Sequence, residues 1–209
     1  MRPDFMADHL AVDRYGDFLL TDAVRPAPHL PVVPREGYRL GVYRDPRTRA
    51  SVPVLAAAVS RERLFDVFLA LLDPLGPAVD VVLETSHDRA DGRHVDLVRE
   101  GIDRPVLESY LCEFEELLLH DGCTGVAVMT TGGGKEVQFD EHKLLVVYAA
   151  DLEPFEAVFL QAGIARDDGL KLITEGEHLH STEESYAERF DQLCTSVGVT
   201  EPAERISPR

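Results

Sequence analysis

Two Glu-x-x-His pairs, Glu84-x-x-His87 and Glu175-x-x-His178, and one His-x-His, His178-Leu179-His180, are the residues of this chain best suited to chemistry. Carboxylate and imidazole both ligate divalent metals, and both transfer protons near neutral pH. Spacing decides which of them can act together. On a strand, residues i and i+3 point to opposite faces, so each Glu-x-x-His pair converges only if the strand ends between its members. Residues i and i+2 share a face, so His178 and His180 are the better-placed pair. Glu175, Glu177, Glu183 and Glu184 lie close to them in sequence. The metal site to be expected is therefore His178 and His180, with Glu175 as the carboxylate.

Other clusters are weaker. Thr130-Thr131-Gly132-Gly133-Gly134-Lys135 has the glycines of a phosphate loop, but Glu136 follows the lysine where Ser or Thr is needed, and Val137-Gln138-Phe139 continues as an extended segment. It reads as a hairpin turn. The chain contains no G-x-S-x-G, H-E-x-x-H or G-x-G-x-x-G. Cys112, Cys123 and Cys194 are odd in number and lack C-x-x-C spacing, which points to neither a disulfide framework nor a zinc ribbon. Cys112 and Cys194 read as small buried hydrophobes on helices, and Cys123 has no base beside it in sequence.

The elements that would position these residues follow from hydrophobic period. Pro26, Pro28, Pro31 and Pro34 make 25–36 an extended connector. Tyr38 to Tyr43 and Val52 to Val59 read as a hairpin. Ser60 then caps a helix with Leu64, Val67, Phe68, Leu71 and Leu72 on one face, and Val79 to Leu83 is a buried strand. A polar stretch, 88–104, reads as a loop or short extra helix before a helix over roughly 105–120. The order then recurs: strands at Thr124 to Met129 and Leu144 to Tyr148, a helix capped by Asp151, a strand at Leu170 to Thr174, and a helix after a Ser181/Glu184 capping-box pattern.

Residues support this recurrence. A shift of 91 places Glu62, Val67, Phe68, Glu84 and His87 on Glu153, Val158, Phe159, Glu175 and His178. A shift of 76 places Tyr110, Phe114 and Gly122 on Tyr186, Phe190 and Gly198, leaving the first copy longer by 15 residues in 88–104. The expected fold is α+β: an extended Pro-rich N-terminal arm (1–36), two tandem ββαβα repeats (37–122 and 123–200) and a flexible tail (201–209). The repeats would pack with pseudo-twofold symmetry into a mostly antiparallel sheet, or into two apposed sheets. The repeat-related pairs Glu84/His87 and Glu175/His178 would then stand at matching strand ends.

A formal charge of −17 argues against nucleic acid and anionic membrane surfaces as partners. Residues 1–104 carry 17 acidic and 14 basic side chains, and residues 105–209 carry 21 and 7. Arg39, Arg44, Arg47 and Arg49 crowd the first hairpin and form a candidate interaction surface for an acidic face, either within the chain or on a second copy in a homodimer. No apolar run is long enough to span a membrane, and the N-terminus lacks signal-peptide order, so a cytoplasmic location is expected. With no complete set of nucleophile, base and charge stabiliser in the sequence, the leading expectation is a non-enzymatic binding or protein-interaction protein that needs no cofactor. The alternative is a metal-dependent hydrolase-type enzyme using the His/Glu cluster around 175–184.

Overall fold

The computed structural model describes residues 10–27, 32–45, 49–87 and 95–200. The start of the arm (1–9), the tail 201–209 and Arg47 lie outside them. The described chain is mixed α+β, with a seven-stranded sheet at its centre. Its strands are β4 (Gly37–Arg44), β5 (Ser51–Ala58), β6 (Ala78–Thr85), β7 (Val95–Asp103), β8 (Thr124–Thr130), β9 (Lys135–Phe139) and β10 (Leu144–Ala149). They run in the order β4-β5-β10-β9-β8-β6-β7, and each ladder is antiparallel.

Alternation along the strands sends Leu55, Val81, Leu83, Val126, Val128, Phe139, Leu145 and Val147 to one face, where five α-helices of the described residues cover them. These helices are α1 (Arg61–Leu72), α2 (Arg104–Glu113), α3 (Glu115–His120), α4 (Glu153–Gln161) and α5 (Glu184–Val197). Phe68, Phe155 and Phe159 are fully buried there, each contributing about 1.5–3 kcal/mol of transfer free energy. Among the described residues, the apolar cover of the opposite face lies at one end. Phe18 and Leu20, from a small hairpin of β1 (Arg14–Tyr15) and β2 (Phe18–Leu19), pack with Leu170 and Leu172 on Ala58 and Leu144. A separate two-stranded ribbon pairs β3 (Val24–Pro26) with β11 (His178–His180).

Several expectations are corrected by this arrangement. Val95–Asp103 is not a loop but the edge strand β7, whose charges Asp96, Arg99, Glu100 and Asp103 suit a solvated edge. Leu170 to Thr174 is not a strand: it buries Leu170 and Leu172 and ends in a 3-10 turn, Ile173–Glu175. Val79 to Leu83 sits inside the main sheet, so the two segments matched by the 91-residue shift occupy different positions. The N-terminal segment is extended, but it is built into the structure, with Ala23 and Val24 buried. Ser60 does precede α1, yet its hydroxyl accepts from Leu19 N at 3.0 Å instead of capping the helix. Ser181 likewise caps nothing, because α5 starts three residues later and Ser181 N donates to Ala23 O at 2.8 Å.

Candidate metal centre

The ribbon of β3 and β11 carries the His-x-His. His178 lies opposite Pro26, Leu179 opposite Arg25, and His180 opposite Val24. Strand alternation turns Leu179 outward, 47% exposed, and sets both imidazoles on the other face. They meet a third imidazole, His142, that no spacing in the sequence connects to them. It sits in the β9–β10 turn, which closes through Lys143 N to Asp140 O at 3.0 Å and Leu144 N to Asp140 Oδ1 at 2.8 Å. Lys143 ends that turn in the left-handed region, φ 61°, a conformation uncommon for a residue with a Cβ.

The ring centroids are 4.9 Å apart for His142 and His178, 4.8 Å for His142 and His180, and 5.2 Å for His178 and His180. One ring nitrogen of each lies within 4.8 Å of one ring nitrogen of the other two. Each Nδ1 is already engaged: His142 with Asp140 Oδ2 at 3.2 Å, His178 with Gly176 O at 2.8 Å, and His180 with Gly122 O at 2.7 Å. A backbone carbonyl only accepts, so Nδ1 of His178 and His180 carries the proton and the lone pair is left on Nε2. This is the outer-shell pattern that orients metal-binding histidines.

Charge in the cluster is uneven. Burial pulls the His142 pKa down, but the hydrogen bond and charge of Asp140, with Glu141, outweigh it and leave the group above its ordinary value. For His180 burial dominates, aided by the neighbouring His142 and His178, and the pKa is lowered. Beside them Lys143 is buried, its Nζ donating to Thr124 O at 2.9 Å, and burial pushes its pKa down to about 8. His142 and Lys143 also border a small cavity of about 30 Å³ whose other walls include Phe18, Leu20, Val24 and Ala58. His180 is exposed, so the cluster opens to solvent on that side.

The remaining candidate residues fall elsewhere. Glu175 does not join the histidines: its Oε1 takes Arg39 Nη1 at 2.7 Å and Leu172 N at 2.9 Å. Glu84 lies within β6, opposite Asp96 and Gly125, and His87 bonds Asp121. The two Glu-x-x-His pairs therefore build no shared site. Arg39 is spent on Glu175 within the chain, while Arg44 and Arg49 flank the β4–β5 turn. His142 was missed because a turn histidine has no periodic signal; the polar run Asp140-Glu141-His142-Lys143 between two apolar strands was the available clue. Comparison with protein-family models, curated proteins and solved structures finds no match to this chain. Function has to be argued from the site.

Proposed function

We propose that this protein is a metal-dependent enzyme of hydrolytic type, its ion held by Nε2 of His142, His178 and His180. The observation that carries this reading is the convergence of three imidazoles whose Nδ1 positions are each fixed by a carbonyl or carboxylate. Zinc bound at about 2.0–2.1 Å needs ligand nitrogens about 3.3 Å apart, within reach of small side-chain rotations from the present spacing. Three protein ligands leave a fourth position for water, whose pKa the metal lowers toward neutrality.

The test is metal analysis of protein purified without an affinity tag, followed by thermal unfolding with Zn²⁺ or Mn²⁺. Stoichiometric metal is expected, with about 2.7 kcal/mol of added stability at a free ion concentration a hundred times Kd. Hydrolysis of chromogenic ester or phosphoester substrates should disappear with chelator and return with metal. Protein that holds no metal and gains no stability from either ion would end the proposal.

A second reading, association through β4, is favoured by a separate observation. This edge strand is partly covered, Tyr38 N bonding Ala165 O and Tyr38 O accepting from Asp167 N. Farther along, Leu40, whose N bonds Asp168 Oδ1 at 3.3 Å, Val42 and Tyr43 are 42%, 63% and 47% exposed, and among the described residues no strand pairs beyond β4. Such an edge can pair with a second copy about a twofold axis. Light scattering at about 0.05 and 0.5 M salt tests it: a dimer dispersed by Val42→Lys supports it, and a monomer mass at both salts rejects it. The cysteines are free, which suits the cytoplasmic setting we assume for either reading.

A further inference from the structure

We propose that His87, Asp121 and Cys123 form a second metal-binding position, separate from the three-histidine site and suited to a thiophilic divalent ion such as zinc. Their ligand atoms lie within 4.8 Å of one another. Two tight junctions place them. His87 follows the end of β6, where Ser86 N bonds Cys123 O at 3.0 Å and His87 N bonds Thr85 Oγ1 at 3.2 Å. Asp121 and Cys123 flank Gly122 in the link from α3 to β8, with Asp121 N on Leu117 O at 3.0 Å and Cys123 N on Asp121 Oδ1 at 3.2 Å.

The donor set argues for metal on chemical grounds. Thiolate, imidazole and carboxylate together are zinc ligands, and the sulfur favours zinc over magnesium or calcium. His87 Nε2 and Asp121 Oδ2 are 2.8 Å apart, near the roughly 3.3 Å separation of two ligands on one tetrahedral zinc. A bound ion would displace the proton between them and the proton on Cys123. Two anionic ligands would neutralise a divalent ion, an advantage around a carboxylate with no exposed surface. A plain buried His–Asp pair would account for His87 and Asp121, and it is the sulfur of Cys123 beside them that points to a metal. Gly122, between Asp121 and Cys123, also serves the other site, since its carbonyl oxygen holds His180 Nδ1 at 2.7 Å. The two positions are thus joined through one peptide segment.

Cobalt titration of the metal-stripped full chain tests this independently of the three-histidine reading, because among the six proposed ligands only Cys123 carries the sulfur that gives a thiolate-to-cobalt charge-transfer band. The band is expected in the unaltered protein and in the His178→Ala/His180→Ala double variant, and it should vanish in Cys123→Ser. In the unaltered protein, zinc should slow alkylation of Cys123 by about tenfold or more, read peptide by peptide by mass spectrometry, while the exposed Cys112 keeps its rate. That measurement decides the matter should Cys123→Ser fail to fold. Absence of both band and protection overturns the second site, as does a band that persists without Cys123. Binding of only one equivalent of cobalt by the unaltered protein, with the band present, would overturn the three-histidine site instead.

Discussion

Gly122→Ala is expected to unfold the protein more readily than any other change of a single methyl group near the site. A Cβ at this position would stand 2.5 Å from Ala23 O, 2.7 Å from Ser181 O and 3.0 Å from Ser181 N. All three are backbone atoms, so no side-chain rotation relieves the contact; the β3–β11 ribbon has to move away from the α3–β8 link. That motion also breaks Gly122 N to Ser181 O, 2.8 Å in the native fold. Overpacking of this kind costs about 3 kcal/mol, or roughly 6–12 °C in Tm for a chain of this length. The urea midpoint should fall with an unchanged slope. Because His180 rides on the ribbon, the stabilisation by zinc should shrink as well. A Tm within about 2 °C of the parent would show that the link and ribbon are not packed as described.

His180→Ala is expected to weaken zinc binding by well over a hundredfold in competition with a chromophoric chelator. The scale comes from the outer shell, where losing an orienting partner typically costs about 10–100-fold, and a ligand should cost more than its support. Asp140→Asn should fall in that lower range: the amide can keep Leu144 N but loses the charge that favours Nδ1–H of His142. Glu175→Gln is the control, with affinity unchanged within about twofold, because that carboxylate faces Arg39 and Leu172 N. Equal losses for Glu175→Gln and His180→Ala would place the ion elsewhere.

The contrast between Glu175 and His180 shows what one-dimensional pattern can reach. The i, i+2 rule put His178 and His180 on one face, and the ribbon bears that out. Proximity in sequence also nominated Glu175, but a 3-10 turn intervenes and swings its carboxylate to β4. His142, Asp121 and Cys123 arrive through sheet topology and loop packing, which leave no local trace. The same limit applies to the fold. Strands with an apolar face, β4, β5, β6, β8 and β10, were legible from alternation, as were the amphipathic helices. The charged edge β7 resembles a loop because one side of it meets water and its register shifts between Val79 and Val81. Leu170 and Leu172 resemble a strand because they alternate, although they pack as a plug on the sheet's second face.

The pairing of β3 with β11 also has a consequence for synthesis. Val24 leaves the ribosome about 150 residues before His178, so at roughly 5–20 residues per second it waits about 8–30 s for its partner. During that interval Ala23 and Val24, buried in the finished fold, have no ribbon to cover them, and residues 23–26 are an open strand that other nascent chains or chaperones can engage. The three-histidine pocket is then completed only by the last quarter of the chain. An ion held by the three histidines would therefore not template the early fold; it would select for molecules in which 24–26 and 178–180 have already paired.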